Sequence, residues 1–267
     1  MTLKERIEDT KGLVAFWDFK EIEGQNRTSV GLNNFQLKET NGTLARIDEG
    51  PISGYSTLFG NCAYLVLPNS ETGFLNISGD DASITVVAWL KWTGEQIGFV
   101  GGMWNEYQDG GKRQYGLFIS LPEYNGGNQV CGHISNTGKP TPPFPYSIDY
   151  SASKQEVPAN EWACVAFTYD GKYIKSYYNG IFEKREPELI DHTQGYEGCI
   201  DGLFHSKNPY FFPHGIRNNG SDFTVGAVLL KRGMGNFFKG QIGGLAIFNK
   251  VLNDEVLLNY SDFHTIK

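Results

Sequence analysis

The residues best suited to chemistry lie near the middle of the chain. Gly101-Gly-Met-Trp-Asn-Glu-Tyr107 leads through Asp109-Gly-Gly-Lys-Arg113 into a strand-like run. Cys131-Gly-His-Ile-Ser-Asn-Thr137 ends another such run and opens a proline-rich loop. If those strands are neighbours, Trp104, Asn105, Glu106, Arg113, Tyr115, His133 and Asn136 share one surface, with Tyr146 on the adjoining loop. Aromatic faces stack on sugar rings while Asn, Glu and Arg hydrogen-bond hydroxyls, so the mixture suits a carbohydrate ligand. The same residues permit catalysis. A lyase acting on a uronate must neutralise the carboxylate, remove the α proton and protonate the leaving oxygen. Arg113 with Asn105 fits the first task, His133 or a tyrosine the second, and Tyr115 or Tyr146 the third. A catalytic set of His133, Arg113 and Tyr115 and a non-catalytic binding surface both stay open, as does plain packing of Trp104 and His133.

A second cluster runs from His205 to His214, followed by Asn218-Asn-Gly-Ser-Asp222. Its two histidines are separated by a proline-bearing loop at a spacing that matches no helix or strand face, so a hydrophobic plug with polar edges is expected rather than a metal centre. No G-x-S-x-G elbow, P-loop or H-E-x-x-H occurs. Cys62, Cys131, Cys164 and Cys199 lack zinc or redox spacing and are expected as free thiols in apolar runs.

The elements that position these groups read almost entirely as strands. The chain has 267 residues, 33 of them glycine, with 14% aromatic and 20% charged residues. That composition describes turns between packed strands rather than long surface helices. The net charge of −7, with no extended run of Lys or Arg, excludes a nucleic-acid partner. No stretch approaches the roughly 20 apolar residues of a membrane span, so no membrane insertion is expected. Met1–Thr10 is polar and charged and does not read as a leader. A complete chain is therefore expected in the cytoplasm, and a trimmed one in the periplasm or outside the cell.

Strands are expected over 12–19, 35–38, 63–67, 83–92, 97–101, 114–120, 129–135, 162–169, 172–178, 181–184, 222–227 and 237–249. Residues 83–92 carry Ile84, Val86, Ala88 and Leu90 on one side and Val87 and Trp89 on the other, so this strand should be covered on both faces. Trp89, Val165 and Phe167 are expected between layers. Asp170-Gly171 and Asn179-Gly180 are read as two-residue hairpin turns. A capping box at Thr2 starts a short helix, and Asn253 or Asp254 caps another over 253–260. Two segments, 139–150 with its four prolines and 190–220, are long loops of the kind that usually serve a site. The first should wall a cleft with Phe144 and Tyr146. One all-β domain over 1–267, an antiparallel two-sheet sandwich, follows from the unbroken strand signals.

The run Trp162-Ala-Cys-Val-Ala-Phe-Thr-Tyr-Asp-Gly171 with Tyr177-Tyr-Asn-Gly180 resembles the signature of laminin-G-like domains, within the concanavalin A-like lectin/glucanase superfamily. Residues 12–19, 83–91 and 238–255 are similar to that family's opening, middle and closing elements. The resemblance implies a jelly roll with sugars held on a concave sheet or its rim, and relatives that include lectins, adhesive modules, glucanases and lyases. It also implies possible calcium ligands among Asp80, Asp81, Asp149 and Asp222, although no spaced acidic loop is present and no cofactor is assigned. The family's catalytic motifs are missing: no Glu has an Asp two residues on, and Gln241-Ile-Gly stands nearest to the lyase Gln-Ile-His triplet. A non-catalytic carbohydrate binder is the leading expectation, with a lyase or glycoside hydrolase as the alternative and protein partners unassigned.

Overall fold

The strand with apolar residues on both faces forms over Ile84–Trp92 and lies inside the larger of two antiparallel sheets. The protein is described here from a computed structural model covering residues 1–106, 110–190 and 203–263. The larger sheet runs Ile181–Phe182, Tyr173–Tyr178, Trp162–Tyr169, Ile84–Trp92, Gly240–Phe248, Leu13–Trp17 and Val30–Gly31. The facing sheet runs Tyr150–Glu156, Gly126–Ile134, Tyr115–Leu121, Gly98–Met103, Phe223–Val225, Tyr64–Leu67, Gln36–Thr40 and Arg27–Thr28. This is the expected jelly-roll sandwich. Non-consecutive strands sit side by side in both sheets, which closes the roll.

Alternation along each strand divides the core into layers. Ile84, Val86, Ala88 and Leu90 meet Val165, Phe167, Leu117 and Ile119 between the sheets. Val87 and Trp89 point the other way and pack with Phe16, Phe248 and Tyr260. Trp89 is thus buried between layers, but between the sheet and two helices rather than between the sheets. Its Nε1 donates to Tyr260 O at 2.9 Å. The helices are α1 (Leu3–Glu8), with the full capping box at Thr2, and α2 (Asp254–Tyr260), capped by Asn253. Among the described residues no helix is long and apolar enough to cross a membrane. Cys62, Cys131 and Cys164 are free, and burial pushes the Cys131 thiol up to about 12. Cys199 lies outside the described residues.

The two hairpins differ in a way that corrects the sequence reading. Asn179 and Gly180 both have positive φ, 46° and 72°, as a type I′ turn requires. At the other hairpin Asp170 N donates to Tyr173 O, so the central residues are Gly171 and Lys172, one position later than expected. Only Gly171 has positive φ, the φ pattern of type II′, and the Asp170 carboxylate accepts from Lys172 N and Tyr173 N. Gly180 is the more constrained glycine. A Cβ there would meet Leu257 O of α2 at 2.4 Å. Gly180→Val should therefore destabilise by about 3 kcal/mol or more, combining strain and displaced backbone. Chemical denaturation checks this, and a loss under about 1 kcal/mol would mean that α2 yields freely.

A third layer covers part of the outer face of the smaller sheet. Phe99, Phe118, Cys131 and Tyr150 project from its strands and pack with Tyr124, Phe144, Ile148, Ile190 and Val228 from connecting segments. The proline-rich loop contributes Phe144 and Ile148. It is closed on itself by Thr141, whose N–H donates to Tyr146 O and whose hydroxyl donates to Asp149 Oδ2 at 2.6 Å. The 203–217 region supplies the expected plug, with Tyr210, Phe212 and Ile216 entering the inter-sheet core.

Candidate functional site

Strand register decides which of the candidate residues can meet. Gly116 lies opposite His133, and His133 lies opposite Tyr150, so these three positions share the outer face of the smaller sheet. Gly116 contributes no side chain. A Cβ there would meet Phe99, Phe118 and Trp104 at 3.0, 3.2 and 3.5 Å, so glycine lets the rings close over this spot. The His133 ring is 4.7 Å from Trp104, 5.2 Å from Phe118 and 4.7 Å from Tyr150, centroid to centroid. It forms the middle of an aromatic cluster.

A cavity of about 210 Å³ opens over this cluster. Phe118, His133 and Tyr150 form its floor. Glu106, Glu123, Ser147 and Asn236 supply polar walls, and Ile97, Leu121, Tyr124 and Leu230 supply apolar ones. Tyr146, 54% exposed, stands among the lining residues as the most accessible aromatic. Phe144, expected to project outward beside it, instead turns inward against Tyr124 at 6.2 Å.

Of the eight residues proposed from sequence, Glu106, His133 and Tyr146 line this cavity. Trp104 and Arg113 stand behind it. Trp104 is 2% exposed and packed against the Phe118 and His133 rings, so its face is closed to a ligand, contrary to the expected stacking platform. Its Nε1 instead donates to Glu106 Oε1 at 3.0 Å. Arg113, also buried, donates from Nη1 to Gly138 O at 3.1 Å and pairs through Nη2 with Glu106 Oε2 at 3.6 Å. Burial lowers its pKa and Glu106 opposes that shift. Both buried side chains therefore hold the Glu106 carboxylate from behind. Asn105 does not line the cavity; its backbone forms a bridge to Leu229.

Tyr115 and Asn136 are elsewhere. Tyr115 lies opposite Ile134, one residue out of step with His133, so its side chain enters the inter-sheet core. There its hydroxyl donates to Leu75 O at 2.8 Å, and burial raises its pKa far above the usual phenol value. A set of His133, Arg113 and Tyr115 acting on one substrate is thus not assembled. Asn136 lines a different groove, on the far side of the proline-rich loop, where its Nδ2 donates to His214 O. Tyr107 and Asp109 lie outside the described residues.

His133 is neutral at physiological pH. Burial first, then the nearby Lys207 and Arg113 charges, hold its pKa well below the usual imidazole value. Its Nδ1 is buried with no hydrogen-bond partner among the described residues. Lys207, missed by the sequence reading, is wholly buried with Nζ 3.4 Å from the Tyr150 ring centroid and 3.1 Å from Ile148 O. Burial pulls its pKa down to about 7. Tyr150 was also missed, because residues 139–150 read as a loop whose last residue in fact begins a strand. Glu123 and Tyr124 were missed because they lie in a short turn, Pro122–Tyr124, between two strands.

Three of the four proposed calcium ligands, Asp80, Asp149 and Asp222, are engaged otherwise. Asp80 pairs with Arg217 at 3.0 Å, Asp149 accepts from Thr141 and Tyr210, and Asp222 accepts from Asn69 N. Among the described residues no group of three His, Cys, Asp or Glu side chains could hold a metal ion. His205 and His214 each pack on a separate ring, Tyr210 at 4.9 Å and Phe212 at 5.1 Å.

No protein-family model and no curated protein matches the chain. Solved structures do match in shape. One is domain 4 of AbnA, a GH43 extracellular arabinanase from Geobacillus stearothermophilus, in complex with arabinotriose. It shares 15% identity and a TM-score of 0.54 over 94% of this chain and 98% of that one. Another is Trypanosoma rangeli sialidase in complex with 2,3-difluorosialic acid, at 14% identity and a TM-score of 0.53. That match covers 96% of this chain and only 34% of the sialidase. The likeness is one of fold. It shows a β-sandwich fold and leaves function to the site.

Proposed function

We propose that the protein is a laminin-G-like, non-catalytic domain, single over 1–267, that binds a neutral carbohydrate in the cavity above His133. The observation that carries this reading is the cavity itself: an aromatic floor with carboxylate, hydroxyl and amide groups at its walls. Sugar rings present apolar faces to aromatic rings and hydroxyls to such acceptors and donors. The arabinanase domain, of the same fold and crystallised with arabinotriose, is in keeping with a sugar ligand but carries no residue assignment.

Charge selects the class of sugar. Among the described residues the ionisable side chains lining the cavity are Glu106, Glu123, His133 and three tyrosines, Tyr124, Tyr146 and Tyr150, and the imidazole is uncharged. Arg113, the cation needed to neutralise a uronate, is 3% exposed behind Glu106. A uronate would meet carboxylates without a cation, whereas neutral hydroxyls donate to them.

Calorimetry with neutral and uronic oligosaccharides tests this. Neutral glycans should bind in this cavity, and uronic ones should show no binding that Tyr146→Ala weakens. Tyr146→Ala should weaken binding by about 0.5–1.5 kcal/mol, the scale of one aromatic contact. Its exposure makes a folding defect unexpected. Incubation with either polysaccharide class should release neither reducing ends nor unsaturated products; release of either would establish an enzyme. Uronic binding that Tyr146→Ala weakens as much as neutral binding, or no binding of any neutral glycan, would overturn the reading.

A further inference from the structure

We infer that the groove on the far side of the proline-rich loop is a second ligand site, separate from the first, that takes the anionic group of an acidic sugar. The loop partitions the surface. Tyr146 and Ser147 face the cavity described above, while Lys139–Pro142 and Asp149 face a larger groove of about 590 Å³. Its opposite wall is Phe212–His214 with Arg217.

Both walls are fixed before any ligand arrives. Thr141 closes the loop through its bonds to Tyr146 O and Asp149 Oδ2. Across the groove, Phe212 O accepts from Tyr169 Oη at 2.7 Å, and Gly215 N donates to the same hydroxyl at 3.1 Å. Phe212 N and Ile216 N donate to Lys172 O and Gly79 O, which ties that wall to the sandwich at two more points. A groove already in shape loses little conformational freedom on binding.

Its charge is opposite to that of the first cavity and of the chain. The protein carries −7 overall, yet Lys139 and Arg217 face this groove. Among the described residues the single lining carboxylate is Asp149, which has one oxygen bonded by Thr141 and the other by Tyr210. Arg217 is 55% exposed along its side chain, and its partner Asp80 is 76% exposed. Such a surface pair is worth little and yields to a better acceptor. A guanidinium has five donors in a planar fork, so it can take a carboxylate bidentately while still touching Asp80. Asn136 commits its Nδ2 to His214 O, which leaves its Oδ1 for a sugar hydroxyl. Phe212 and the prolines offer an apolar surface for a ring. A uronate and a sulfate ester share this chemistry.

The test titrates the whole protein with a galacturonic acid trisaccharide, a sulfated trisaccharide and a neutral trisaccharide, each at low and high salt. At least one acidic ligand should bind and weaken with salt, and the arm that binds names the anion. Arg217→Glu should weaken that binding about tenfold or more, equal to about 1.4 kcal/mol, and leave neutral-glycan binding in the first cavity unchanged. Tyr146→Ala should do the reverse, so failure of one site is distinguishable from failure of the other. Should Arg217→Glu not fold, Lys139→Glu, at an exposed position, gives the same readout. Absence of binding by both acidic ligands, or acidic binding indifferent to both charge reversals, would overturn the second site.

Discussion

Lys207→Met should stabilise the protein at pH 6 and lose that advantage by about pH 10. Lys207 is wholly buried, and burial pulls its amine from the usual 10.5 to about 7. Between those two values the unfolded chain holds a proton that the folded one has shed. Stability therefore climbs with pH across that window, by at most about 1.4 kcal/mol per unit. Below pH 7 both states are protonated, the slope vanishes, and the folded protein carries the full penalty of a buried charge. The ring faces of Tyr150 and Tyr210, 3.4 and 4.9 Å from Nζ, offset part of it by attracting the cation. Methionine removes the charge and keeps most of the length. It also leaves Ile148 O without its donor, at about 1–3 kcal/mol. The variant should thus gain at acid pH, where the penalty it removes exceeds that loss, and fall behind at alkaline pH, where only the loss remains. Urea denaturation of both proteins from pH 6 to 10 measures the difference directly and cancels groups common to both. A difference that does not change with pH would mean that the rings and Asp149 hold the amine near its ordinary value.

The fold was largely legible in the sequence because its signals are local. Alternation in Ile84–Trp92, the hydrogen-bonding side chains at Thr2 and Asn253, and the Asn179-Gly180 turn each depend on a few adjacent residues, and each formed as read. The site depended on quantities that are not local. Tyr115 and His133 lie in neighbouring strands, and whether they share a face turns on a one-residue register that neither strand encodes alone. Register placed Tyr115 in the core and brought Tyr150 beside His133. Trp104 illustrates a second limit: residue type cannot separate a stacking platform from a ring packed on Phe118 and His133. Lys207 illustrates a third. A lysine in a proline-bearing loop reads as solvated, and only the folding of that loop against the Tyr150 ring makes it a buried group. The third layer as a whole is assembled from connecting segments, whose packing carries no period to read.

Glu106 is the residue whose replacement should change binding and stability together, and two substitutions separate the effects. Its carboxylate accepts from Trp104 Nε1, sits 3.6 Å from the buried Arg113 guanidinium, and lines the cavity. Glu106→Ala removes all three roles. Arg113 is then a buried cation without its counter-ion, a situation that costs about 3–5 kcal/mol in fully buried pairs. Glu106 is 23% exposed, so water can enter in its place, and about 1–3 kcal/mol is the expected loss here. Neutral-glycan affinity should fall as well, because a hydroxyl acceptor is gone and Trp104 is no longer held. Glu106→Gln keeps an oxygen for Trp104 and for a sugar hydroxyl but removes the negative charge. It should therefore reproduce most of the loss of stability while sparing most of the neutral-glycan affinity. It should also lift the exclusion of uronates from this cavity, since Arg113 would be left with net positive charge behind an uncharged amide. Calorimetric titration of both variants with neutral and uronic trisaccharides, in an Arg217→Glu background that silences the second groove, reads each effect separately. If Gln and Ala weaken neutral binding equally, the charge itself grips the sugar. If neither substitution alters binding, Glu106 serves only to neutralise Arg113, and the ligand is held by the aromatic floor and the Glu123 wall.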